Sequence, residues 1–310
     1  MKRRNFIQNS AMAGVGAMTT IGTVGANANA TQTEKMSNAA KFKMKYAPHF
    51  GMFNNSAGND KLDQLQFMAD NGFSALEHNG MLGESVEMQE KIATKMSNLN
   101  MEMGVFVGHN IAWNRPNLTS GKKDEQQKFL SEIKASIDVA KRVNARWMTV
   151  VLGTIDHRLK IGYQMANVVD ALRRASELLE PHNITMVMEP LNFRNHPELF
   201  LTTINQAYEI CIAVNSPSCK ILDDLYHQQI TEGDLIPNMD LAWDEIGYFQ
   251  IGDNPGRNEP TTGEINYKNI FKHIHDKGFT GILGMEHGNA EKGKEGEQKL
   301  IDAYRYCDNF

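Results

Sequence analysis

From about residue 43 onward, short apolar runs alternate with longer amphipathic stretches. The runs Met44–Ala47, Phe73–Glu77, Glu102–Val107, Arg146–Leu152, Ile184–Met188, Cys219–Leu222, Gly247–Ile251 and Gly281–Met285 predict eight strands. Between and after them, apolar residues recur at helical spacing over 60–71, 85–99, 124–143, 162–181, 203–214, 227–241, 267–277 and 292–306. The first helix ends on Asn71-Gly72, a pair suited to a left-handed C-cap. Strand and helix alternate eight times with no hairpin signal, which implies parallel strands closing into a single (β/α)8 TIM barrel. No Pro-, Gly- or Ser-rich linker divides it. The segment His109–Lys123 has no period and holds Trp113, Asn114, Arg115, Pro116 and Gly121, so it is expected to be a functional loop such as a lid.

The first thirty residues do not share this pattern. Lys2-Arg3-Arg4-Asn5-Phe6-Ile7 is a twin-arginine motif, Ala11 to Ala26 is uncharged and mildly apolar, and Ala28-Asn29-Ala30 has the form of a signal-peptidase site. The expected organisation is a twin-arginine signal peptide over 1–30, a flexible mature N-terminus over 31–42 and the barrel over 43–310. Export by the twin-arginine machinery to the periplasm, already folded, suits a protein that acquires a cofactor beforehand. No stretch after the signal is apolar enough to form a stable membrane span.

Composition adds exclusions. Removing Lys2, Arg3 and Arg4 makes the formal charge three units more negative than its full-chain −5, and an acidic surface argues against nucleic acid as a partner. Cys211, Cys219 and Cys307 are an odd number, so a disulfide framework is not expected, although Cys211 and Cys219 remain a possible pair.

In a TIM barrel the active site gathers at the C-terminal ends of the strands. The fifth apolar run ends in Glu189-Pro190, the sixth in Asp223-Asp224, the seventh carries Gln250 and then Asp253, and the eighth ends in Glu286-His287. Four successive strands thus bring carboxylates or an amide to one rim. Such acids repel one another unless a cation joins them, and an oxygen-rich set suits Mg²⁺ or Mn²⁺. Glu189, Asp224, Gln250 and Glu286 are therefore the expected metal ligands, while adjacent His287 leaves its strand in another direction and is left out. Met186, Met188 and Met285 are expected to fill the core.

The segment Gln250-Ile251-Gly252-Asp253-Asn254-Pro255-Gly256-Arg257-Asn258-Glu259-Pro260, continuing to Tyr267, resembles the signature of the hydroxypyruvate isomerase family, part of the xylose-isomerase-like barrels. Asp224-Leu225-Tyr226-His227-Gln228-Gln229, Glu189-Pro190-Leu191-Asn192 and Gly284-Met285-Glu286 are similar to its other strand-end motifs, in the same order. The likeness covers most of 43–306 and is densest in the C-terminal half. It implies that Glu189, Asp224, Gln250 and Glu286 hold the metal, that Glu189 and Glu286 also transfer protons, and that His227, Arg257 and Glu77 contact substrate.

The chemistry implied is interconversion of an α-hydroxy aldehyde and an α-hydroxy ketone, hydroxypyruvate and tartronate semialdehyde or a related keto sugar, through a cis-enediolate. Arg257 suits a substrate carboxylate, or alternatively a loop salt bridge with Glu259 or Glu264. His227 has the alternative of bonding the rim. His109 reads as a solvated loop histidine, and Trp113 as either a pocket cap or an aromatic resting on the rim. The export signal, Gly252 in place of the family's usual alanine, and His287-Gly288-Asn289 in place of a tyrosine-containing continuation leave the substrate open. A ketose 3-epimerase on the same metal site, a non-catalytic periplasmic carbohydrate-binding barrel and a homo-oligomer stay open as well. A multi-zinc phosphodiesterase or endonuclease is disfavoured because the rim is poor in histidine.

Overall fold

The short apolar runs form parallel strands because each is covered on both faces, by the barrel interior on one side and by helices on the other. A computed structural model describes residues 39–310; the twin-arginine motif, the expected cleavage site and most of the expected mature N-terminal segment lie outside the described residues. The strands are β1 (Lys45–Ala47), β2 (Ala75–Leu76), β3 (Glu102–Met103), β4 (Trp147–Val150), β5 (Thr185–Met188), β6 (Cys219–Asp224), β7 (Ile246–Gln250) and β8 (Ile282–Gly284). The helices are α1 (Asn54–Ala57), α2 (Lys61–Asp70), α3 (Val86–Asn98), α4 (Lys123–Val143), α5 (Ile161–Leu179), α6 (Ile204–Val214), α7 (Leu225–Thr231), α8 (Leu235–Ala242), α9 (Tyr267–Asp276) and α10 (Gly293–Asp308).

Six strands pair in the order β1-β8-β7-β6-β5-β4 and β2 pairs with β3. Parallel bridges His49–Glu77 and Val107–Thr149 join the two sets, closing the barrel expected from the sequence. Side chains alternate across each strand. Ala47, Ala75, Val105, Val187, Leu222, Tyr248 and Ile282 form one buried cluster in the barrel interior. Met186, Met188, Ile221, Phe249 and Met285 join the larger core between strands and helices, as expected for the methionines.

Local chemistry sets the helix ends. Asp60 caps α2 by accepting from the backbone N–H of Leu62 and Asp63, and Gly72 takes φ 87° just past the helix, the C-cap that Asn71-Gly72 predicts. The single helix predicted over 227–241 is two, because Gly233 and Asp234 take φ 62° and 46° and turn the chain between α7 and α8. The loop 109–122 keeps only one 3-10 turn, Leu118–Ser120, fixed where Thr119 Oγ1 donates to the carbonyl of Thr154 at 2.7 Å. Cys211 and Cys219 are both buried free thiols. Among the described residues no helix is long and apolar enough to cross a membrane.

Candidate active site

Alternation along β6 and β7 aims the rim. Asp224 follows Leu222 toward the barrel axis and Gln250 follows Tyr248, while Asp223 lies on the opposite face with Ile221. Asp224 also caps α7: its Oδ1 accepts from the backbone N–H of Tyr226 at 2.9 Å and His227 at 3.4 Å, leaving Oδ2 for other partners. Glu189 follows β5 directly and is buried. Glu286 lies two residues beyond β8.

Arg257 enters from the β7–α9 loop. Its Nη2 donates to Asp224 Oδ2 at 2.8 Å and to Glu286 Oε2 at 2.6 Å, and its Nε donates to the Glu286 carbonyl at 3.1 Å. The loop is held by buried Asp253, whose carboxylate accepts from the backbone N–H groups of Asn254, Gly263 and Ile265. Arg257 itself sits at φ 49°. Neither loop acid competes for it: Glu259 accepts from the Ala290 N–H, and Glu264 accepts from Gln229.

His227 is fully buried beside two of the acids, its Nε2 standing 3.5 Å from Asp224 Oδ2 and 3.7 Å from Glu189 Oε1. Its Nδ1 accepts from the backbone N–H of Asn192 at 3.1 Å, and the Asn192 side-chain amide lies 2.6 Å away. The hydrogen-bond network therefore puts the ring proton on Nε2, facing the acids. Burial lowers the imidazole pKa to about 4. His196 packs against His227 with ring centroids 5.5 Å apart, and Trp113 stacks on His196 at 5.1 Å. The 109–122 loop and the β5–α6 loop thus meet through Trp113 and His196, although Trp113 stays half exposed.

The acids have unequal surroundings. Glu189 accepts no hydrogen bond among the described residues, and burial, then the charges of Glu286 and Asp224, push its pKa well up. Glu286 accepts from Asn79 Nδ2 at 3.0 Å as well as from Arg257; burial raises it to about 7, with Arg257 pulling the other way. Glu77 is placed differently from the expected substrate contact. It lies inside the barrel, where its Oε1 accepts from Gln250 Nε2 at 2.8 Å and its Oε2 from the Tyr248 hydroxyl at 2.9 Å. Burial first, then Glu286, raises its pKa well above the usual range.

These residues fit a hard divalent cation. Glu189, Asp224 and His227 each bring a donor atom within 4.8 Å of the others. Gln250 Oε1 is buried and has no hydrogen-bond partner among the described residues. Because His227 Nε2 carries its proton, the ring is suited to donating a hydrogen bond beside the cation, and the oxygens of Glu189, Asp224, Gln250 and Glu286 to holding it.

The remaining candidates separate cleanly. His287 turns away to bond the Tyr304 hydroxyl at 2.8 Å. His109 is buried where a solvated residue was expected, because its Nε2 accepts from the Val151 N–H at 3.1 Å. Sequence reasoning missed Asn79, Asn192, His196 and Tyr248. Tyr248 carried a signal as the inward residue two places before Gln250, and Asn192 as the last residue of the motif that opens on Glu189.

The model of xylose isomerase-like TIM barrels matches residues 65–308, and the chain belongs to that family. It is 32% identical over 180 residues to the hydroxypyruvate isomerase of Escherichia coli (strain K12), covering 58% of this chain and 69% of that one. Against the 2-oxo-tetronate isomerase of Pectobacterium atrosepticum it is 26% identical over 240 residues, 76% of this chain and 89% of the other. The crystal structure of an AP endonuclease, family 2, from Brucella melitensis superposes with a TM-score of 0.73 at 24% identity, covering 84% of this chain and 98% of that one. The protein is an enzyme of the isomerase class.

Proposed function

We propose that the enzyme interconverts an α-hydroxy aldehyde and an α-hydroxy ketone through a cis-enediolate, acting on hydroxypyruvate and tartronate semialdehyde or a related keto sugar. The observation that carries this reading is a pair of glutamates at the ends of two strands, Glu189 beside Asp224 and His227 and Glu286 joined to Asp224 through Arg257, both with pKa values raised toward the range where a carboxyl group can take up and release protons. Glu189, with no hydrogen bond to hold its charge, suits removal of the carbon-bound proton. Glu286, held by Asn79 and Arg257, suits its return or relay to the neighbouring carbon.

Glu189, Asp224, Gln250 and Glu286 are the residues to hold Mg²⁺ or Mn²⁺. A bound cation of this kind supplies Lewis-acid stabilisation of the negative charge that develops on two substrate oxygens. His227 donates from Nε2 to one of those oxygens. Arg257, whose guanidinium lies over the Tyr226 ring, makes no hydrogen bond from Nη1 among the described residues, and that group is open to a substrate carboxylate, which favours a keto acid over a neutral ketose. The twin-arginine motif and Ala28-Asn29-Ala30 support placing this activity in the periplasm.

The test is to incubate the enzyme in D₂O with hydroxypyruvate, tartronate semialdehyde and common ketoses, and to follow products by NMR. Conversion between aldehyde and ketone is expected, lost with chelator and restored by Mg²⁺ or Mn²⁺. Deuterium at C3 of a ketose without that conversion would replace isomerisation with 3-epimerisation. Metal-dependent binding with no turnover of any substrate would leave a carbohydrate-binding barrel.

A further inference from the structure

Beneath the rim lies a polar group in a place that barrels ordinarily fill with apolar side chains. Glu77 is buried against Tyr248, Gln250 and Gly284, close enough to Glu286 and Asp224 to feel their charges. Two glycines make room for it. A Cβ on Gly284 of β8 would overlap Glu77 Oε2, and one on Gly104 would overlap the Tyr248 hydroxyl. A leucine or methionine would fill a comparable volume without placing a fourth acid below Glu189, Asp224 and Glu286, so packing does not account for the residue.

Its hydrogen bonds do. The Tyr248 hydroxyl gives its hydrogen to Glu77 Oε2 at 2.9 Å. Glu77 Oε1 is then left as an acceptor, and Gln250 Nε2 donates to it. A carboxamide held by its nitrogen has only one place for its oxygen. Gln250 Oε1 faces away from Glu77 and remains buried without a partner among the described residues. Against the Glu77 carboxylate the flipped amide would set two acceptor oxygens face to face, and in either protonation state of Glu77 it would turn an NH₂ group toward the acids, putting donors where a cation needs a lone pair.

We propose that Glu77, seated on Tyr248 in the space left by Gly104 and Gly284, is the positioning residue that fixes the Gln250 carboxamide with its oxygen toward the metal-binding acids. Glu77 thus acts on the cation site through Gln250, without touching substrate. The inference rests on Gln250 facing the cation, as under the proposed function.

A double-mutant cycle on the full chain separates the two, with Mn²⁺ affinity measured by titration calorimetry for wild type, Glu77→Met, Gln250→Met and the double variant. Glu77→Met is expected to weaken Mn²⁺ binding roughly 10- to 100-fold. The double variant should bind no more than about 3-fold weaker than Gln250→Met alone, since Glu77 has nothing left to orient. Full additivity overturns the proposal, as does unchanged affinity in Glu77→Met while Gln250→Met binds weakly. If Gln250→Met itself binds Mn²⁺ like wild type, the reading of Gln250 as a ligand falls and the positioning role falls with it. Should Glu77→Met not fold, wild-type NMR decides: the Gln250 side-chain NH₂ protons should be protected from solvent exchange, and exchange as fast as for a surface glutamine overturns the proposal.

Discussion

The backbone N–H of Asn192 points at Nδ1 of His227 from 3.1 Å and so decides which ring nitrogen carries the proton. With Nε2–H turned toward the acids, His227 is a donor and cannot lend that nitrogen to a cation. His227→Asn is therefore expected to keep its bound metal while kcat/KM falls roughly 10- to 100-fold, the scale of one lost hydrogen bond to a charged oxygen. Metal content by elemental analysis, read beside the kinetics, checks this. Loss of metal in that variant would make His227 a ligand after all.

Cation binding should depend on pH through the same acids. Glu286 is raised to about 7 and Glu189 is raised as well, and a carboxyl group must lose its proton before it can hold a metal. Affinity for Mn²⁺ should then climb with pH from 5.5 through 7 and beyond. Calorimetric titrations across that range supply the measurement, and a flat profile contradicts it.

Asp253 is the anchor of the loop that delivers Arg257. Asp253→Ala strips a partner from the N–H groups of Asn254, Gly263 and Ile265 at once. A loss of roughly 3 kcal/mol in unfolding free energy is expected, from buried donors left unsatisfied at about 1–3 kcal/mol each. Catalysis should fall further than stability explains, because Arg257 loses its fixed path to Asp224 and Glu286. Urea unfolding together with kcat/KM tests both parts.

Asp223, on the outer face of β6, is buried with no hydrogen bond to Oδ1 among the described residues, and burial, then Asp224 and Glu232, raise its pKa to about 8. The folded chain therefore keeps this proton over a pH span in which the unfolded chain has released it. By linkage, this group's effect is absent below about pH 4, lowers stability progressively as pH rises, and is complete above about 8. Asp223→Asn should flatten that slope, with a melting temperature that falls less than wild type's between pH 5 and pH 8.5. Parallel slopes in thermal melts of the two proteins would remove the argument.

Periodicity was enough to locate most elements. The pattern over 124–143 predicts α4 within a residue, and the Asn71-Gly72 cap ends α2 where expected. Six of the eight strands came out shorter than their apolar runs, β2 and β3 most of all, while β7 kept its length and β6 ran on to Asp224, because ladder length depends on the neighbouring strand as well as on the run itself. Glu189, Asp224, Gln250 and Glu286 were legible since barrel topology turns every strand end toward one rim. Asn79, Asn192 and His196 were not. They reach the site from loops, and no period relates their positions to the acids they serve. Glu77 was visible as an acid at a strand end, and alternation with Ala75 places it inward. Its partnership with Gln250 depends on the register that brings Gly284 beside that residue, which one strand alone does not reveal.

The paired glycines under the rim carry an evolutionary consequence. Gly104, Gly284, Glu77 and Tyr248 divide one small volume, so no one of them can change alone without a clash or a void. Among homologues, an alanine or larger residue at the position of Gly284 should coincide with loss of the acid matching Glu77. One at the position of Gly104 should coincide with loss of the tyrosine. These four positions should therefore vary as a linked set, even though they lie on, or one residue beyond, four different strands far apart in the chain.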